Sequence, residues 1–335
     1  MRPRSFYILL TVLVLLFFVA FLVSLFGGRL VLAPQEVFRI LSDGLRGNMS
    51  GDLAHAVVWN LRMPRVLLAA LVGAGLATAG TAFQGIFRNP LVSPDVLGVS
   101  SGAAFGAVFG ILLTNSGAII SLLALGCGLL SVFCTYFLSI LRGHSTTLTL
   151  VLAGMIVSSV CSALISLIKY VADPYDKLPA ITFWLMGSFS TASYNTLLTV
   201  GIPIFVGIFA LYRLRWRLNV LSLGDDEAMA LGISPIRIRK IVIALGTLVT
   251  AACVTATGIV GWIGLVVPHM ARLLVGADHL RTIPVACLLG ASFMILVDFV
   301  ARTATAAEIP VGILTALIGA PFFAILFKRQ GGGQL

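Results

Sequence analysis

The sequence predicts an all-α, polytopic membrane protein, and three observations carry that prediction. The 335 residues are 59% hydrophobic and only 10% charged, whereas a soluble domain carries about 25% charged residues. Charged or Pro/Gly-rich punctuation divides the chain into about ten apolar runs of the ~17–25 residues that a bilayer core requires. Small residues recur at the spacing of close helix contact, at Gly102, Gly106 and Gly110 and again at Ala69, Gly73 and Ala77.

The runs fall near 6–26, 64–84, 95–113, 118–140, 148–169, 193–213, 239–257, 259–275, 282–301 and 310–327. The first follows Arg2 and Arg4, is long enough to span, and precedes no A-x-A-like cleavage site, so a retained helix is expected. Between 239 and 275 only the glycines around Gly258 separate two halves. The longest connections, about 27–62, 170–192 and 214–238, are too short for an independent core, so residues 1–335 are expected to form a single transmembrane domain.

With the N-terminus inside, thirteen basic residues lie on the cytoplasmic side and eight on the outer side, leaving Arg272 within a span. The excess predicts cytoplasmic N- and C-termini and accounts for the formal charge of +10 without nucleic acid. The five cysteines all fall inside apolar runs without C-x-x-C spacing, which indicates neither a disulfide framework nor a zinc site.

The most unusual run is Gly258 to His279, which carries Pro268, His269 and Arg272 in a membrane segment. Such residues are costly against lipid and normally face protein or a water-filled path. No second histidine or cysteine lies at ligand spacing to His269, so a structural hydrogen bond is expected rather than a metal site. Asp298 is the one carboxylate deep in a span, and Arg302 one turn later forms an i,i+4 pair with it. The chain has no G-x-x-x-x-G-K-[ST] loop, so ATP hydrolysis would come from a separate subunit.

Three constellations stand out. In the inside loop, Gly224 and Gly232 bracket a short helical piece whose first turn holds Asp225, Asp226 and Glu227, with Ala228, Met229 and Leu231 as a small apolar surface. It reads either as a surface for a soluble motor or as a capped surface helix. On the outer side, Arg62, Arg65 and Arg302 lie near one interface, suited either to clamp carboxylates of an external partner or to snorkel to headgroups. Ser145, Thr146 and Thr147 form a polar inside turn whose hydroxyls either line a constriction or cap the next helix.

Taken together, the stretches 61–66, 84–102, 183–188, 258–279 and 308–321 closely resemble the FecCD family, the membrane permeases of type II ABC importers for iron-siderophores, haem and vitamin B12. The resemblance covers essentially the whole chain. It implies the type II ABC importer permease fold and a homodimer with the substrate path at its interface. It also implies two cytoplasmic ATPases, which hold the ATP and magnesium so that this chain itself carries no cofactor, and a periplasmic or lipid-anchored binding protein. The resemblance implies docking of that protein at Arg62, Arg65 and Arg302, ATPase coupling through 224–232, a cytoplasmic gate at Ser145–Thr147, and a gating helix near 170–190. Leu148 departs from the polar gate pattern of B12-carrying members.

The function expected is an inner-membrane permease, not itself an enzyme, importing a metal chelate, ferric siderophore or haem, by alternating access. Cobalamin or an oxyanion such as molybdate is the alternative of the same class, and an ion-coupled secondary carrier that of a different one. A carrier would need ionisable relays in the spans, where only Asp298 and Arg272 are available. Paired carboxylates or a nucleophile with its base, which a membrane enzyme would need, are not recognisable.

Overall fold

A computed structural model describes residues 3–28, 30, 32–46, 52–140 and 147–331. Among these, seven helices are long and apolar enough to cross a membrane, and three shorter apolar helices complete the ten expected spans. The long ones are α1 (Pro3–Phe26), α4 (Met63–Phe87), α6 (Gly117–Ile140), α7 (Thr147–Val171), α9 (Tyr194–Leu223), α11 (Pro235–Thr257) and α13 (His279–Thr303). The shorter ones are α5 (Val99–Leu113), α12 (Ile263–Val275) and α14 (Val311–Gly331). Four accessory helices complete the chain: α2 (Pro34–Leu45), α3 (Leu53–His55), α8 (Lys177–Met186) and α10 (Asp225–Ala230).

The central post is α4, which packs against α13, α9, α11 and α12. The span that contains it is 89% buried, while those of α6 and α7 are 22% buried and turn most of their surface to lipid or a partner. Glycine permits this crowding. A Cβ on Gly73 would run into the Gly290 carbonyl, and one on Gly80 into the Gly264 carbonyl, so α4 touches α13 and α12 backbone to backbone. The Gly102 and Gly106 repeat does the same for α5 against α6, where any Cβ would collide with Ser131 or Leu123.

Two boundaries depart from the hydropathy pattern for local reasons. Helix α9 is 30 residues long and carries Arg213, Arg215 and Arg217 on its inner extension, where a loop is expected from sequence. Leu211, Leu214, Leu218 and Leu221 recur at helical spacing and are all buried, so packing continues the helix beyond the hydrocarbon. Upstream of α4, the turns Ala56–Arg62 are π-helical. Pro64 has no N–H to offer the preceding turn, and the Trp59 carbonyl accepts instead from Tyr194 Oη at 2.8 Å.

Helix α12 is only 13 residues long, about 20 Å, so the anomalous run forms a short helix rather than a full span. Pro268 and His269 are buried inside the bundle, as expected. The expected hydrogen bond to His269 is not found at Nε2, which has no partner among the described residues.

Candidate functional site

Two polar clusters lie at opposite ends of the bundle. At the end expected from sequence to face outward, Arg65 is the hub. Its Nε donates to both oxygens of Asp298 at 3.0 and 3.1 Å, and Nη1 and Nη2 donate to the two oxygens of Glu308 at 3.0 Å each. Asp298 is fully buried, and its i,i+4 neighbour Arg302 stands at 3.7 Å, against 2.9 Å for Arg65. The expected helical pair is therefore the weaker of the two contacts.

The other two arginines point into the protein. Arg62 Nη1 donates to the carbonyls of Leu25 and Phe26 at 2.8 and 3.1 Å, and Nη2 to that of Leu30 at 2.6 Å. Arg302 Nη1 donates to the Gly27 carbonyl at 3.0 Å, and Nη2 to the Ser24 carbonyl and hydroxyl. Both side chains are buried. Of the three arginines expected to receive a binding protein, Arg62 and Arg302 tie down the exit of α1, and Arg65 is neutralised by carboxylates. The orphan carbonyls at the end of α1 attract them, because a helix end leaves up to four such acceptors unsatisfied.

At the opposite end, expected to face inward, α10 is a six-residue helix. It closes with Gly232 N–H donating to the Met229 carbonyl and Ile233 N–H to the Ala228 carbonyl, both at 2.9 Å. Gly232 at φ +75° supplies the left-handed residue that this closure requires. Ala228 and Ile233 are buried beneath the helix, while Met229 and Leu231 are each 57% exposed. Asp226 and Glu227 are exposed as well.

Asp225, though its side chain is 44% exposed, is held to the bundle by two arginines. Arg239 of α11 grips it bidentately at 2.7 and 2.8 Å, and Arg88 joins its Oδ1 at 2.8 Å while also donating to the Leu221 carbonyl. The Arg239 hydrogen bond, with the charges of Arg239 and Arg88, holds the Asp225 carboxyl below its ordinary value despite the opposing effect of partial burial. The pairing is thus present throughout the neutral range and is lost only as pH falls through that lowered value. Of the predicted coupling residues Gly224, Asp225, Asp226, Glu227, Ala228, Met229, Leu231 and Gly232, the structure divides the set into anchors and an exposed rim.

A backbone junction ties the end of α8 to α11 and α14. Ser188 N–H, just after α8, donates to the Thr257 carbonyl ending α11 at 2.8 Å, and Val311 N–H, opening α14, donates to the Gly187 carbonyl at 2.9 Å. Gly187 and Gly258 have φ of +75° and +72°, and a Cβ on Gly258 would strike the Trp184 carbonyl. Helix α11 therefore reaches from the Asp225 grip at the inner end to α8 at the outer end, about 34 Å along 23 residues.

Of the expected gate residues, Ser145 and Thr146 lie outside the described residues, and Thr147 opens α7 as an exposed residue. Sequence reasoning missed Arg88, Arg239 and Glu308. Each is a charged residue flanking an apolar run, and only the fold reveals which opposite charge it meets.

Comparison with known proteins places these features in context. The model of the FecCD transport family matches residues 15–329. The molybdate import system permease protein MolB of Haemophilus influenzae is 43% identical over the whole of this chain and 99% of that protein. A probable iron chelatin transport system permease protein of Helicobacter pylori is 40% identical over 93% of this chain and 95% of that protein. An ABC transporter assigned to the metal-chelate type and solved in an inward-facing conformation superposes with a TM-score of 0.87, at 40% identity, covering 98% of this chain and all of that one.

Proposed function

Because the chain belongs to the FecCD transport family and is the permease subunit of an ABC importer, we propose that it carries a metal chelate, ferric siderophore or haem, inward by alternating access. The observation that carries the mechanism is α10, a short helix locked to α11 by Asp225 and Arg239 while Met229 and Leu231 remain exposed. A solvated loop would need neither the lock nor the apolar rim. The rim receives a cytoplasmic ATPase, which holds the ATP and magnesium; this chain contributes transport and no hydrolysis.

Two copies form the pathway, with the little-buried helices α6 and α7 supplying apolar and hydroxyl surface toward a partner or lipid. N- and C-termini face the cytoplasm, and the membrane is the inner membrane. At the outer end, a binding protein's carboxylate exchanges with Glu308, which is 32% exposed, on the guanidinium of Arg65. Arg62 and Arg302 shape that surface by holding the chain after α1. The gate role of Ser145, Thr146 and Thr147 belongs to the same proposal, supported by Thr147, which opens α7 with an exposed side chain.

When ATP draws the motors together, α10 moves and α11 transmits that displacement as a strut, because the Asp225 pairs fix one end and the Thr257 carbonyl fixes the other to α8. The cargo meets only the paired path.

A second reading, molybdate as cargo, is favoured by the 43% identity to the molybdate permease over the full chain. The test is uptake by the complete transporter in proteoliposomes, with ferric siderophore, haem and molybdate offered through the cognate binding protein. Uptake of an iron chelate or haem is expected, and uptake of molybdate alone would replace the first reading by the second.

The coupling role predicts a separate outcome. Replacing Met229 and Leu231 together by aspartate removes the apolar rim without touching the Asp225 lock, so the complex should lose most ATPase affinity and uptake while the permease melts normally. Full uptake by that variant would remove α10 from the interface.

A further inference from the structure

A cavity of about 800 Å³ opens between α6, α8, α9 and the outer end of α11. It is separate from both ion-pair clusters. Its walls are largely apolar, with Leu122, Leu125, Phe183 and Trp184 among them, and among the described residues no charged side chain contributes to the lining. Neutral hydrogen-bonding groups are present as well, including Thr191 and Asn195.

The absence of charge in the lining argues against an ionic occupant. A chelate carrying carboxylates or a free oxyanion would lose its hydration there without a compensating partner. Water alone is a poor filling for so large a volume whose walls are mostly apolar.

Leu122 in the cavity lining is 70% exposed, and Leu198 and Ile202 elsewhere on α9 are each 61% exposed, apolar faces suited to hydrocarbon or to a partner. Most of the cavity's hydrogen-bonding groups gather around the start of α9. Thr191 and Asn195 lie at or before the outer start of α9, whereas Leu125 lies two turns down α6 from Gly117, about 12 Å deeper.

Resting on the orientation proposed above, we propose that this cavity opens sideways into the bilayer and binds one phospholipid of the outer leaflet, with an acyl chain in the apolar slot and the glycerol ester region at the hydroxyl and amide groups. The slot matches the chain in polarity, the rim matches the ester in being neutral and hydrogen-bonding, and both sit at the depth a lipid would occupy. The lipid fills the space against Phe183 and Trp184, so it contacts α8 itself. This assignment is independent of which cargo the permease moves.

The test uses the full-length permease. Native mass spectrometry after detergent extraction should find a phospholipid retained by each chain, and Thr199→Phe, which puts a ring into the cavity, should lose it. Ser121→Phe fills the same space from α6 and serves if the first variant melts abnormally. In a chain carrying Trp59→Phe, Trp216→Phe and Trp262→Phe, only Trp184 fluoresces. Phosphatidylcholine brominated on its acyl chain should quench it strongly, and the quenching should fall when Thr199→Phe or Ser121→Phe is added. Equal lipid retention in parent and filled variants overturns the proposal. So does an unquenched Trp184, the result expected if a second copy of the chain closes the cavity.

Discussion

Replacing Arg65 by alanine is expected to destabilise the permease more than any other single loss of charge. Asp298 is fully buried, and without Arg65 its nearest cation would be Arg302 at 3.7 Å. Leaving one member of a buried pair uncompensated costs about 3–5 kcal/mol, a large part of a stability of about 5–15 kcal/mol. A thermal melt in detergent should show a drop of many degrees. Arg65→Lys should recover only part of it, because an ammonium cannot reproduce the fork that meets both carboxylates. Adding Asp298→Ala to Arg65→Ala should restore some stability, since the orphan charge is then gone. A melting point unchanged in Arg65→Ala would show that the cluster bears no weight. Glu308→Gln separates the structural role from docking: it weakens the competitor for Arg65 while keeping Asp298 paired, so affinity for the binding protein should rise rather than fall.

The second large effect is expected at Gly258. A side chain there must enter a backbone conformation at φ +72° and meet the Trp184 carbonyl, so Gly258→Ala should displace α8 from the end of α11. Strain of this kind costs about 1–3 kcal/mol, which the bundle can absorb, and the helices should still assemble. The signature is functional. Complexes carrying Gly258→Ala should hydrolyse ATP near the normal rate while uptake per ATP falls by an order of magnitude. Gly261→Ala is the matched control, because a Cβ at Gly261 meets nothing within 4 Å. If both alanine variants transport normally, α11 does not act as the strut.

The ten-span architecture is legible in the sequence because hydropathy is a property of each segment alone. The glycine repeats are legible for a related reason: Gly102 and Gly106 announce a close contact even though they do not say with which helix. The outer cluster is legible only in part. Arg62, Arg65 and Arg302 stand out as cations at one interface, but whether a guanidinium faces out or in depends on acceptors elsewhere. The carbonyls of Leu25, Phe26 and Gly27 become orphans only where α1 ends, and Glu308 approaches Arg65 only when α13 and α14 are in place. Similarly, the acidic turn of α10 reads as a dipole effect in the sequence, while the fold spends Asp225 on Arg239, fourteen residues later. The extension of α9 past the hydrocarbon escaped because hydropathy falls at Arg213 although the buried leucine stripe continues.

The two carbonyl contacts of α4, Gly73 with Gly290 and Gly80 with Gly264, have a consequence for how this scaffold diverges. Neither partner can accept even a methyl group without parting the helices, so the post and the helices fused to it are closed to gradual change. Helices α6 and α7, mostly unburied, accept new side chains at little cost to folding. Change can thus rework those exposed surfaces one residue at a time while the tightly packed post is inherited intact. A single scaffold can in this way serve ligands with as little in common as an oxyanion and an iron chelate.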